Sequence, residues 1–530
     1  MLVMRLLGLL ALGQGAAFAQ AQFPITDYRV VGNTLLSVQR IEDATRPFRG
    51  AASDFETIQK ALESLEKAYV ANGFGSVKVE IPEQELESGV VTLQVVEGVL
   101  GDVVVEPNAF FDAANVKNSL PALRPGHAVN IFELNRNLVL ANDSGSKVSN
   151  VTFKRSTNNK DVDVHVKVAA EDPERWLAML DNTGNDATGL YRLGLVYQNA
   201  NVLNKDHALS VQLMTSPDHM SQVGILGVGY RIPFYALGAT LDLSASHSNV
   251  DSGQVAQAGG GPNLAISGSG DVLGVKYTHN LDSSADWQHK VHVGLESRAY
   301  GNSVKTSGAV GSSLVPSLST RPVTLGYVGN YREPTREVAF NITWLLNLPG
   351  GTNGTEADFN QAGGRTGAKG DFQTIKFGIQ HTERFASQWV LRAALSGQYT
   401  NDLLIAAEQY GVGGADSVRG FGEREVAADY GIRGGLELWA PAVTMDAWRM
   451  IPLVFVDAAG VKRNNPLAGE ITQQNISSAG LGLRIAVGRQ LSGRLDWGYV
   501  TQGVAAPTGT TVNGAKTGEN KLHGTAVWNF

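Results

Sequence analysis

Gly413-Gly414-Ala415-Asp416-Ser417-Val418-Arg419-Gly420-Phe421 is a glycine-rich loop set between strand-like segments. Its arginine stands between a β-branched residue and a glycine, in a long loop otherwise poor in charge. If it is buried or faces a lumen it needs a carboxylate partner, because an unpaired buried charge is costly. As a bare surface turn, Val418-Arg419-Gly420-Phe421 would carry only an ordinary solvated arginine. The surroundings separate the two readings: alternating segments on both sides, an apolar leader, and a last residue, Phe530, that is aromatic.

Outward from the loop, the chain after Pro173 offers about sixteen segments of alternating character. Each is near ten residues long, as a tilted outer-membrane strand requires. The clearest are 189–200, 206–215, 222–232, 237–246, 287–300, 322–332, 337–347, 372–383, 388–399, 430–440, 449–459, 479–489, 493–502 and 521–530. In 322–332, Val323, Leu325, Tyr327, Gly329 and Tyr331 form the outward set. Thr324, Gly326, Val328, Asn330 and Arg332 are mostly small or polar and would line a wet lumen. A β-sandwich has the same period, but it does not bring a leader, a tryptophan girdle and a terminal aromatic together. All eight tryptophans lie between Trp176 and Trp528, a bias that interfacial girdles explain. Gly/Ser/Asn-rich stretches at 250–266, 301–320 and 350–368 read as flexible extracellular loops.

Composition narrows the class. The 530 residues carry a net charge of -7 and no cysteine, and 61 of them are glycine. The acidic balance argues against nucleic acid as a partner. Absence of cysteine excludes disulfide scaffolds and thiolate metal sites, and suits a chain that crosses an oxidising compartment. Residues 1–21 read as a signal peptide. Arg5 supplies the positive charge, Leu6–Leu12 the apolar core, and Ala17-Phe18-Ala19 or Ala19-Gln20-Ala21 the cleavage region. No later stretch is long and apolar enough for a spanning helix, so membrane insertion would require a closed barrel.

Residues 24–170 differ in texture, carrying helix-period segments between strands. The order is strand 27–33, helices 37–48 and 55–71, and strands 76–82 and 89–97. It repeats as strand 100–106, helices 110–119 and 130–141, and strands 148–155 and 161–168. The helix at 55–71 aligns Ile58, Leu62, Leu65 and Tyr69 on one face, and its charged face of Lys60, Glu63, Glu66 and Lys67 reads as solvated. Such a β-α-α-β-β unit presents sheet edges to which an extended peptide can add.

Near the end, Pro452–Gly460 places one carboxylate, Asp457, in an apolar strand. Val454, Val456 and Ala458 would face lipid, leaving Phe455, Asp457 and Ala459 to the lumen, where Asp457 needs a cation. Arg419 is the favoured cation; Arg484, on the neighbouring strand, is the competitor. No HExxH, nucleophile elbow or phosphate loop is present, so neither catalysis, a metal nor a cofactor is expected.

With these flanks, Val418-Arg419-Gly420-Phe421 resembles the loop motif of the transporter subunits of two-partner secretion (TpsB, the ShlB/FhaC/HecB haemolysin secretion-activation family), within the superfamily of outer-membrane barrels with POTRA domains. Tyr69–Phe74, Ile81–Gln84 and Val95–Gly98 resemble segments of that family's first POTRA domain. Leu120-Pro121, Arg124–Gly126 and the 134–142 helix resemble the second. The resemblance implies a membrane all-β protein of the Gram-negative outer membrane: a signal peptide (1–21), POTRA domains at 23–98 and 99–172 in the periplasm, and a roughly sixteen-stranded barrel at 173–530. It implies that Arg419 sits on a loop folded back into the lumen and pairs with Asp457, with Gly420 holding it and Phe421 against the wall. The family's Phe-x-Asp-x-Gly strand is matched with its glycine shifted by one, at Gly460. Leu522, Trp528 and Phe530 resemble the C-terminal signal read by the barrel assembly machinery. The implied partner is a large secreted exoprotein of TpsA type, captured unfolded by the POTRA domains and passed out through the barrel pore, with outer-membrane lipid around the barrel as a further partner. A general barrel-insertion factor is the alternative in the same fold; a passive porin is a more distant one. Many relatives carry an N-terminal plug helix, and none fits here before the first strand.

Overall fold

The computed structural model describes residues 23–85, 89–156, 162–185, 188–220, 223–249, 269–282, 284, 286–301, 316–361, 364–466, 471–505 and 514–530. The leader, its cleavage region, all of the 250–266 loop and most of the 301–320 loop lie outside the described residues.

The first repeat comprises β1 (Phe23–Ile25), β2 (Asp27–Val31), α1 (Val38–Thr45), β3 (Gly50–Ser53), α2 (Phe55–Ala71), β4 (Lys78–Glu80) and β5 (Val90–Val96). Helix α2 starts where Asp54 accepts from the Thr57 amide at 2.8 Å, satisfying one of the free donors of a helix N-terminus. Its apolar period buries Ile58, Ala61, Leu65 and Tyr69 against Val91, Leu93 and Val95 of β5. Burial pushes the Tyr69 phenol up to about 12, and its hydroxyl donates to Asn33 Oδ1 at 2.7 Å. The sheet order is β2-β5-β4, with β2 and β5 parallel. A two-stranded β1-β3 ribbon adds to the expected elements. Glu66 departs from the solvated reading, since it accepts from the Val79 amide of β4 at 3.0 Å and ties helix to sheet.

The second repeat runs β6 (Leu100–Val105), α3 (Ala113–Asn118), α4 (Ile131–Ala141), β7 (Lys147–Arg155) and β8 (Val162–Ala170). Helix α3 begins later than the periodicity predicts, because Asp112 caps it by accepting from the Asn115 amide at 2.7 Å. The sheet order, β6-β8-β7, again places the third strand in the middle. The chain forms two compact units. One holds residues up to 103 with 123–131 and 153–164; the other holds 104–122, 132–152 and 165–530.

The barrel is closed by β9 (Glu174–Asp181), β10 (Arg192–Val202), β11 (His207–Thr215), β12 (Gly224–Phe234), β13 (Ala239–Ser248), β14 (Gly270–Asn280), β15 (Trp287–Tyr300), β16 (Leu318–Thr320) continued by β17 (Pro322–Arg332), β18 (Arg336–Asn347), β19 (Gln373–Arg384), β20 (Val390–Tyr399), β23 (Tyr430–Trp439) extended by β24 (Val443–Met445), β25 (Trp448–Lys462), β26 (Gln473–Val487), β27 (Leu491–Gln502) and β28 (Asn520–Asn529). Counting each extension with its strand gives sixteen antiparallel staves. The remaining pair, β21 (Tyr410–Val412) and β22 (Val426–Ala428), forms a hairpin of its own. Alternation sets the two faces: along β25, Val454 and Val456 point out while Phe455, Asp457 and Ala459 are buried inside. Trp176, Trp287, Trp389, Trp439, Trp448 and Trp528 all stand at the end where the chain enters β9, with Trp344 and Trp497 toward the other.

The loop at 350–368 is ordered where its composition predicts flexibility. It carries α5 (Glu356–Phe359), started by a capping box between Thr355 and Asp358. Phe359 is fully buried in an apolar cluster with Tyr300, Leu318, Leu345, Phe372, Leu404 and Ile405. Those partners come from distant segments, which is why local composition does not announce them.

Candidate functional site in the barrel lumen

The loop between β20 and β23 turns inward, and its course follows from its anchors. At its base, Asp429 accepts from the Leu404 amide at 2.9 Å and from the Asn464 amide at 2.8 Å. Glu408 is buried and accepts from Arg298 Nη1, Tyr300 Oη and Thr320 Oγ1 at 2.9, 2.8 and 2.9 Å. The β21–β22 hairpin then carries the chain to residues 413–425. Val412, Val418, Phe421 and Val426 pack on Ala459, Val461, Ile476 and Val500, inward residues of β25, β26 and β27. Val418 and Phe421 are fully buried in that contact.

Arg419 is fastened from several sides. Its Nε and Nη2 donate to Asp457 Oδ2 and Oδ1 at 2.7 and 2.9 Å, the bidentate fork that guanidinium and carboxylate share. The Arg419 amide also donates to Asp457 Oδ2, at 3.2 Å. Nη1 donates to Glu437 Oε1 at 2.7 Å and lies 3.6 Å from Asp496 Oδ1. The guanidinium carbon stands 3.4 Å over the Phe455 ring, a stacked cation on an aromatic face. Arg419 is 6% and Asp457 2% exposed, so the pair is desolvated and held by geometry rather than by bulk attraction.

Arg484 joins the same cluster through the other two carboxylates, which it shares with Arg419. The register sets Asp457 opposite Ser478, and Arg484 lies six residues further along β26 (478 to 484), about 20 Å at ~3.4 Å per residue. Arg484 instead donates to Asp496 Oδ1 at 2.7 Å, with Glu437 Oε1 at 3.8 Å. The site thus contains two carboxylates that the sequence reading passes over, Glu437 and Asp496. Each carries the signal that marks Asp457, an acid between outward apolar residues: Leu436 and Leu438 for one, Leu495 and Trp497 for the other. His523 is also missed; its Nε2 accepts from the Gly420 amide at 3.0 Å, which puts the ring proton on Nδ1.

Beside the loop is a cavity of 570 Å³, lined in part by Arg392, Arg433, Asp416 and Ser417. Arg494 of β27 binds the Asp416 carboxylate and Arg433 Nη1 of β23 donates to the Asp416 carbonyl, so the tip is tethered on both flanks. Among the described residues no cluster of His, Asp and Glu is arranged to hold a metal. Toward the other end of the chain, Leu522 and Trp528 of β28 and Phe530 just after it are exposed, at 53%, 57% and 64%. The backbone of Phe530 pairs with that of Trp176.

Comparison with known proteins adds the following. Residues 161–485 match the family described as haemolysin secretion/activation protein ShlB/FhaC/HecB, and residues 23–98 match the ShlB-type POTRA domain. The outer membrane transporter CdiB of Dickeya dadantii (strain 3937) is 20% identical over 438 residues, 81% of this chain and 73% of that protein. The heme/hemopexin transporter protein HuxB of Haemophilus influenzae is 20% identical over 427 residues, 77% of this chain and 71% of that protein. The solved structure of CdiB from Escherichia coli superposes with a TM-score of 0.73 at 16% identity, covering 98% of this chain and 93% of that one.

Proposed function

Since the chain belongs to the ShlB/FhaC/HecB haemolysin secretion/activation family, and is an outer-membrane transporter of two-partner secretion, we propose that it exports one secreted exoprotein through a lumen gated by the Arg419 loop. The observation that carries the gating role is the seat of Arg419, which is gripped by Asp457 and Glu437 on the inner wall at 2.7 Å each. A passive porin has no use for such a fastening, and the family assignment favours export over general barrel insertion.

In this reading residues 1–21 are the leader, 23–98 and 99–172 the two POTRA domains, and 173–530 the barrel. The partner arrives unfolded, and the edges of the β2-β5-β4 sheet take it up through main-chain hydrogen bonds, which make few demands on sequence. The strip of Leu522, Trp528 and Phe530 presents the barrel to its assembly machinery and then to lipid. Folding of the partner outside the cell gives export its direction, so no nucleotide is required.

A double-mutant cycle tests the gate. Removing one member of a buried pair costs about 3–5 kcal/mol, softened here by a wet lumen. Arg419→Ala and Asp457→Ala should each abolish secretion of the co-expressed partner while leaving an inserted barrel, and the double variant should be no worse than either. Additive defects, or an Asp457 defect that couples to Arg484→Ala, would remove the pairing from the mechanism.

A further inference from the structure

Lys147, at the start of β7, is a lysine with no exposed side-chain surface, and its partner Asp206 is 2% exposed. Nζ donates to Asp206 Oδ2 at 2.6 Å and to Asn115 Oδ1 at 3.0 Å. Asn115 Nδ2, on α3, donates in turn to Asp206 Oδ1 and to the Asn204 carbonyl, both at 3.0 Å. Tyr235, in the turn after β12, donates its hydroxyl to Asp206 Oδ2 at 2.6 Å, and its carbonyl accepts from Asn137 of α4 at 2.9 Å. Burial pushes the Lys147 ammonium below its ordinary range, and the charge of Asp206 pulls it back up. All these residues lie in the compact unit that contains the barrel.

Two physical points raise this cluster above ordinary packing. A buried ion pair is a poor source of stability compared with apolar residues, but it tolerates only one register and fails sharply when one charge is lost. The turn it holds is also strained: Leu203, Asn204 and Asp206 all adopt left-handed backbone, at φ 57°, 55° and 57°. Outside glycine such conformations persist when their surroundings impose them. These contacts are hydrogen bonds and one ion pair, the kind that separate more readily than apolar packing.

We propose that Lys147, Asp206, Asn115 and Tyr235 form a releasable latch by which α3, α4 and the start of β7 grip the turns after β10 and β12 at the pore mouth. Shut, the latch fixes the second repeat at the inlet; open, it lets the repeat move aside. Its bearing on export rests on the reading above, but docking is measurable with no partner protein, so the two can fail separately.

Because the chain contains no cysteine, Asn118→Cys and Ser387→Cys give a unique pair of spin-label sites on exposed residues of α3 and of the turn between β19 and β20. Pulsed electron paramagnetic resonance on the full chain in lipid nanodiscs should show one dominant distance. Lys147→Met and Asp206→Ala should each raise the ratio of separated to docked molecules about tenfold or more. Tyr235→Phe should shift it less, in the same direction. A Lys147→Met/Asp206→Leu double variant, which leaves no lone charge, should return toward the parent. The heat-shifted electrophoretic mobility of the folded barrel should be unchanged throughout. Distances unmoved by all three single substitutions, a double variant as loose as the singles, or loss of the folded barrel would each overturn the latch.

Discussion

Gly420 and Gly498 meet where no side chain fits. Gly420 has φ +96°, and a Cβ built on Gly498 would stand 2.6 Å from the Gly420 amide nitrogen. That contact lets the loop lie flat on β27 while Arg419 reaches Asp457. Gly498→Val should therefore unseat the tip, at a cost of about 1–3 kcal/mol for overpacking. In planar bilayers the purified variant should show long-lived open conductance resembling Arg419→Ala; a variant as closed as the parent would show that the tip seats without this contact. At this scale sequence discloses need more readily than partner. Arg419 and Asp457 stand out as charges that require company, because their neighbours are apolar or small. Which carboxylates gather round the guanidinium depends on register across four strands, β23 and β25 to β27, and one chain read end to end carries little of that register. The same limit explains Arg484: register sets its backbone about 20 Å along β26 from Ser478, the residue opposite Asp457, and its guanidinium meets Asp496 and Glu437.

Among the elements, the ordered loop around α5 bears on how the outer end is built. Phe359 is buried with Leu404 and Ile405 from the base of the lumenal loop, beside the Glu408 cluster. Loop base and outer cover therefore share one core. Phe359→Ala should cost about 3–5 kcal/mol locally, read as new protease cleavage within residues 350–368 on intact cells while the barrel keeps its heat resistance. Unchanged cleavage would mean that the cluster does not hold the loop. Elements of regular alternation are legible in sequence, and the two barrel strands outside the clearest set show why others are not. Strand β9 turns Leu177 and Met179 inward and β14 does the same with Val272, so apolar residues occupy both faces and the period of two fades. The short β1–β3 ribbon is too brief to carry a pattern at all.

For the whole molecule, the division of texture between residues 24–170 and the rest is what makes the architecture readable, since helical and two-residue periods do not imitate each other over long spans. It also separates the tasks. Removing residues 23–98 should leave a barrel that inserts and resists heat, while secretion of the partner falls to background; secretion at parental levels would take the capture role away from the first repeat. The pairing of Phe530 with Trp176 has a consequence of a different kind. The strands that complete the wall begin and end 354 residues apart (176 to 530), the amide of Phe530 donating to the Trp176 carbonyl at 3.0 Å. Contacts so remote in sequence form slowly, and until they form β9 and β28 are two bare edges, each a template for the wrong neighbour. Closure therefore waits for β28 to meet β9, which it does over Thr525–Asn529. The seam acts as a checksum: a copy that lacks β28 has no way to become a sealed ring, and is left as an open sheet with two unpaired edges.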